Sequence, residues 1–116
     1  MWDKLESIFQ KLGVDYFRQG SFMPDEKLPD SLFTFWNANT PEMGFYDGEA
    51  HRAVWYWYVY FYTNNPSLIY SKMEEFIALA KEAGFVVEGK ARDAPIDDEN
   101  YCGRYVLIKY IEIYKE

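Results

Sequence analysis

Between Ala53 and Tyr62 the chain alternates without a break. Ala53, Trp55, Trp57, Val59 and Phe61 take the odd positions, and Val54, Tyr56, Tyr58, Tyr60 and Tyr62 take the even ones. A period of two puts successive side chains on opposite sides of an extended chain, so this run fits a strand and does not fit a helix. The odd face of Trp, Val and Phe belongs against a layer of helices. The even face is a ladder of tyrosines, whose rings are apolar and whose hydroxyls suit water. A chain built on such a strand needs a sheet and a layer covering one side of it, and it leaves an aromatic surface on the other side.

The flanking segments supply that layer. In "WDKLESIFQKLG", Trp2, Leu5, Phe9 and Leu12 recur at helical spacing with Ile8 beside them, and Gly13 is placed to end the helix in the left-handed conformation. "NNPSLIYSKMEEFIALAKEAG" reads as a second helix, with Asn65 as N-cap, Pro66 at the first helical position and Gly84 closing it. Ile69, Met73, Phe76, Ile77 and Ala80 form its buried stripe, while Lys72, Glu74, Glu75, Lys81 and Glu82 stay in water.

Strands account for most of the rest. "VDYFRQGSF" carries a short one near residues 14–19. "SLFTFWNA" is a second, with Leu32, Thr34 and Trp36 on one face and Phe33 and Phe35 on the other, as expected of a central or two-sided strand. "MPDEKLPD" is a loop, and residues 37–50 read as a long loop with Met43, Phe45 and Tyr46 among polar neighbours. "FVVEG" is a short strand, "KARDAPIDDEN" an acidic loop, and "YCGRYVLIKYIEIYKE" a closing strand. Its alternation changes phase after Tyr110, which predicts either a bulge near Lys109 or burial on both faces. The order is α-β-β-β-α-β-β. The expected fold is α+β, with two helices packed on one face of a mainly antiparallel sheet.

Length and charge narrow the function. A chain of 116 residues is one domain, residues 1–116, and 49% hydrophobic residues support a core without metal or disulfide. The single cysteine, Cys102, permits no disulfide within the chain. No apolar run is long enough to span a bilayer, and "MWDKLESIFQ" lacks the apolar stretch of a signal peptide, so neither a membrane nor an export role is expected. Twelve basic residues stand against nineteen acidic ones, a net charge of −7, which argues against specific nucleic-acid binding. Aromatic residues make up 21% of the chain, and tyrosine is enriched at binding surfaces.

Catalytic patterns are missing from the sequence. It has no glycine-rich phosphate loop, no CxxC, no HExxH and no Ser-His-Asp set. His51, the only histidine, reads as a structural residue at a strand edge. The acidic run Asp93, Asp97, Asp98 and Glu99 lacks the spacing and central glycine of a calcium loop. The expectation is a protein that is not an enzyme and holds no cofactor and no metal.

Several phrases resemble the small tail-completion proteins of long-tailed bacteriophages and prophages, the group of tail terminators and tail-to-head joining proteins. They are the helix ending at Gly13 followed by "VDYFRQG", then "KLPDSLFTFWN", then "WYWYVYFYTNNPSLIYSKMEEFIALAKEAGF", and last "GKARDAPIDDENYCGRYVLIKYIEIYKE". The likeness covers nearly the whole chain and rests on element order and local phrasing. It implies a structural protein of the virion tail, assembled in the bacterial host cytoplasm. It implies self-association into a ring, commonly a hexamer, that caps the tail tube and meets both the tube protein and a head-completion protein.

On that reading the interface residues are Tyr56, Tyr58, Tyr60 and Tyr62 on the strand face, with Phe45 and Tyr46 as anchors in the long loop. The acidic loop would face the lumen or a basic partner. Two other readings stay open. One is a small acidic inhibitor or immunity-type protein that captures a basic partner by charge and rings. The other is a ferredoxin-like ligand-binding domain, which needs a pocket with convergent polar groups.

Overall fold

The computed structural model describes residues 2–18, 29–39, 42–43, 52–94 and 100–113. Their elements are α1 (Trp2–Leu12), β1 (Asp15–Arg18), β2 (Ser31–Asn39), β3 (Glu42–Met43), β4 (Arg52–Thr63), α2 (Leu68–Glu82), β5 (Val86–Ala94) and β6 (Cys102–Ile113). The class is α+β. The element order departs from expectation by one strand. β3, only two residues long, pairs with the start of β4 inside the stretch read as a loop. β2 also reaches Asn39, with a register shift between Asn37 and Asn39, so that loop begins later than residue 37.

The sheet runs β1-β2-β4-β6-β5, with β3 beside β4 off this path. β1 pairs with β2 in parallel, and every other pairing is antiparallel. β4, the alternating strand, is central. It pairs with β2 from Thr63 to Tyr56 and with β6 along its full length. The path from β4 through α2 to β5 returns in the same direction, and β6 then inserts between the two strands. Both helices pack on one face of the sheet.

The core sits between those helices and the odd face of β4. α1 contributes Leu5, Ile8 and Phe9; α2 contributes Ile69, Met73, Phe76 and Ala80. The sheet answers with Phe33 and Phe35 from β2, Trp57, Val59 and Phe61 from β4, and Val106 and Ile108 from β6. Ile77, expected in the buried stripe of α2, is only half-buried. Thr63 is fully buried at the end of β4, where its hydroxyl meets that of Ser31 at 2.9 Å and accepts the Asn65 backbone N–H at 3.1 Å. The next residue, Asn64, holds Asp30 through both its backbone and its side chain, at 2.9 and 3.0 Å.

The helix ends follow local chemistry. Asn65 Oδ1 accepts the backbone N–H of Ser67 at 3.2 Å and its hydroxyl at 2.7 Å. The regular helix starts at Leu68, and Ser67, the residue before it, makes no side-chain cap. Asn65 therefore holds the turn that enters α2: its side chain bonds to Ser67, and its carbonyl oxygen accepts the N–H of Leu68, the first regular residue, at 3.0 Å. Gly84, at φ 95°, closes the helix: its N–H reaches Lys81 O at 3.1 Å and the Phe85 N–H reaches Ala80 O at 2.9 Å. These are the paired bonds of a Schellman cap, and they bring Phe85 into the core. Gly13, at φ 68°, ends α1 with its N–H shared between Phe9 O and Gln10 O.

Two readings near the C-terminal half need correction. β6 pairs with β4 in unbroken register from Cys102 to Ile113, so no bulge lies at Lys109 in that ladder. The phase change reflects apolar residues on both faces. Tyr110 turns to the helices, where it meets Phe85 at 5.2 Å, and Ile111 is 46% exposed on the other side. The register break lies in β5, between Glu88 and Arg92, where Gly89 takes φ 69°. Beyond this bulge β5 continues to Ala94, so "KARDA" is strand and Asp93 belongs to it.

Candidate assembly face

The sheet has a second face, turned away from both helices. Register builds it residue by residue. Tyr62, Tyr60 and Tyr58 of β4 stand opposite Leu32, Thr34 and Trp36 of β2. On the other side they stand opposite Gly103, Tyr105 and Leu107 of β6. Tyr56 stands opposite Lys109, and Val54 opposite Ile111. The four tyrosines named from the sequence are thus brought onto one surface, and all four are half-buried.

The rings of three of them, Tyr58, Tyr60 and Tyr62, form a connected array with two residues that β4 alone does not reveal. Trp36 stacks on Tyr58 with centroids 4.8 Å apart. Tyr58 meets Tyr105 at 6.4 Å, Tyr105 stacks on Tyr60 at 5.3 Å, and Tyr60 stacks on Tyr62 at 6.0 Å. These spacings are those of favourable aromatic pairs. The array crosses β2, β4 and β6, so its rings are held by three strands. Stacking between neighbours limits ring motion and lowers the entropy lost when a partner covers the face.

The array has unequal surroundings. On β2, Leu32 and Thr34 are buried although they lie on this face, so it is not bare at the Tyr62 end. Gly103 lies beneath the Tyr62 ring: a Cβ there would come within 2.7 Å of two ring carbons. At the other end Trp36 is 36% exposed. Towards β5 lie a Lys109–Glu88 ion pair at 2.7 Å and a shallow depression of about 220 Å³ between Tyr58, Tyr105, Leu107, Lys90 and Arg92. The hydrogen bond and charge of Glu88 push the Lys109 ammonium above its ordinary pKa.

Burial, with a smaller contribution from Tyr60, pushes the Tyr62 hydroxyl above its ordinary pKa of 10.0. The neutral phenol is thus favoured by folding. That contribution is complete below the unfolded value and is lost as pH rises through the folded one. Stability is expected to fall above about pH 10, and Tyr62→Phe should flatten the decline in urea midpoints taken from about pH 8 to about pH 11. An equal decline in the Phe variant would assign it to other groups.

The remaining candidates separate. Phe45 and Tyr46 lie outside the described residues, as do His51, Asp97, Asp98 and Glu99. Asp93 is on β5, 2.9 Å from the Arg104 guanidinium. Arg104 also donates to Ala91 O at 2.7 Å and lies over the Tyr70 ring at 4.8 Å, so it ties the β5 bulge to α2. Among the described residues no group of three or more His, Cys, Asp or Glu is placed to hold a metal ion. No described helix is long and apolar enough to cross a membrane. Two further clefts flank α2. One of about 450 Å³ lies against α1, and one of about 320 Å³ against the β5 bulge.

Trp36 and Tyr105 are the residues that sequence reasoning left out of the site. Alternation places Trp36 with Leu32 and Thr34 on one face of its strand. Knowing that this face continues the tyrosine face requires the pairing of β2 with β4, which no local pattern carries. No protein-family model matches this chain, and no curated protein matches it.

Proposed function

We propose that this chain is a non-enzymatic structural protein that works by assembly, with the aromatic sheet face as its contact surface. The observation that carries the reading is the stacked array of Trp36, Tyr58, Tyr105, Tyr60 and Tyr62 on the face turned away from α1 and α2. Half-exposed, mutually braced rings in a contiguous patch are the make-up of a protein–protein contact. The assembly proposed is a ring that completes a phage or prophage tail tube and joins it to the head. The tail part of this reading is supported by the phrases "KLPDSLFTFWN" and "WYWYVYFYTNNPSLIYSKMEEFIALAKEAGF" and their setting in the chain. The partners are then further copies of the chain, the tube protein at the tail end and a completion protein on the head side.

The test is direct. Light scattering coupled to size-exclusion chromatography gives the mass, and negative-stain microscopy shows rings. Tyr58→Ser combined with Tyr60→Ser is expected to leave the monomer folded, with its far-ultraviolet circular dichroism retained, and to abolish assembly. Normal assembly by this variant would remove the face from the reading. A tight one-to-one complex with a basic enzyme, slowed steeply by salt, would instead favour the inhibitor class.

A further inference from the structure

We infer that the cationic border of the aromatic face, formed by Lys90 and Arg92, receives carboxylates from a second copy of this chain. The inference rests on the assembly reading above and names what meets that edge.

Two cations of β6 that face β5 are already engaged. Lys109 is held by Glu88 at 2.7 Å and Arg104 by Asp93 at 2.9 Å. Lys90 and Arg92 are exposed and make no ion pair among the described residues. Both line the depression of about 220 Å³ with Tyr58, Tyr105 and Leu107. Its one carboxylate, Glu88, is the one held by Lys109. The β5 bulge between Glu88 and Arg92 interrupts the ladder here, and Arg92 stands opposite Tyr105, an inner member of the ring array. Positive charge is thus concentrated at the rim of an aromatic patch, on a chain whose net charge is −7.

The chemistry of the occupant follows. A guanidinium beside an ammonium pairs well with carboxylates, and the flanking rings exclude water from the contact. A nucleic acid is a poor fit, because two cations neutralise few phosphates and the rest of the chain repels a polyanion. A second copy has carboxylates in excess, nineteen acidic residues against twelve basic ones. A contact between a cationic rim and an acidic surface joins unlike patches, and such a head-to-tail contact is the kind that builds a ring when the rotation between copies closes.

Association of wild-type protein, K90E/R92E, K90Q/R92Q and Y58S/Y60S would be compared by sedimentation velocity over a concentration series. K90E/R92E is expected to weaken self-association by about 30-fold or more, since it sets like charges against each other, and K90Q/R92Q by less. All four should keep the wild-type circular dichroism spectrum. Wild-type affinity in K90E/R92E overturns the inference. If Y58S/Y60S is then monomeric, the assembly face stands and only the cationic border falls. A wild type that stays monomeric overturns the inference too, and leaves the assembly reading to be decided separately on tail tubes.

Discussion

Phe9→Ala is expected to lower the stability of the folded chain by about 3–5 kcal/mol, the range for removing a fully buried phenylalanine. Phe9 has no exposed surface. Its ring meets Tyr16 of β1 at 5.1 Å, Phe33 and Phe35 of β2 at 5.2 and 5.6 Å, and Phe76 of α2 at 5.6 Å. One side chain thus fastens α1 to three other elements. Truncation leaves a cavity among rigid rings that cannot close around it by small shifts, so the cost belongs near the upper part of the range. A domain of this size has about 5–15 kcal/mol in total, so the variant should be close to unfolding at physiological temperature. Urea denaturation checks it: the midpoint should fall sharply with the slope unchanged. A loss under about 1 kcal/mol would mean that α1 is not docked through this ring.

The success of the alternating pattern and its failures have the same physical origin. From Ala53 to Tyr62 the side-chain period is local, and it sorted β4 correctly: Trp57, Val59 and Phe61 are core, and Tyr56, Tyr58, Tyr60 and Tyr62 share the other face. The helices were legible for the same reason, through a 3.6-residue apolar period ending at Gly13 and Gly84. β5 was not legible beyond Gly89. Lys90, Arg92 and Asp93 have weak strand preference, and the bulge resets the alternation, so only pairing with β6 makes the segment extended. β3 is too short to show any period. Membership of Trp36 and Tyr105 in the ring array depends on which strands are neighbours. That is a long-range property: β2 lies on one side of β4, and β6 inserts on the other between β4 and β5.

A second large effect is expected where the array meets the backbone. At Gly103 an added Cβ would lie 2.7 Å from two carbons of the Tyr62 ring and 3.2 Å from the carbonyl oxygen of Ala94. The position is the second residue of β6, paired with Tyr62 on one side and Ala94 on the other, and its φ is not in the left-handed region. Backbone conformation therefore gives no reason for glycine. Alanine would fit a strand better than glycine does, by roughly 0.5–1 kcal/mol. The contact with the ring decides against it. Tyr62 is braced by Tyr60 at 6.0 Å, so it cannot tilt away without disturbing the stack, and overpacking of this kind costs about 1–3 kcal/mol. Gly103→Ala should therefore be destabilising in urea unfolding, and Gly103→Val more so. Tyr62→Ser removes the ring and with it the collision. If the ring is the reason for glycine, Gly103→Ala made in the Tyr62→Ser background should be neutral or stabilising, so the two substitutions should be strongly non-additive. Simple additivity would show that the Ala94 carbonyl, and not the tyrosine ring, demands glycine at this position.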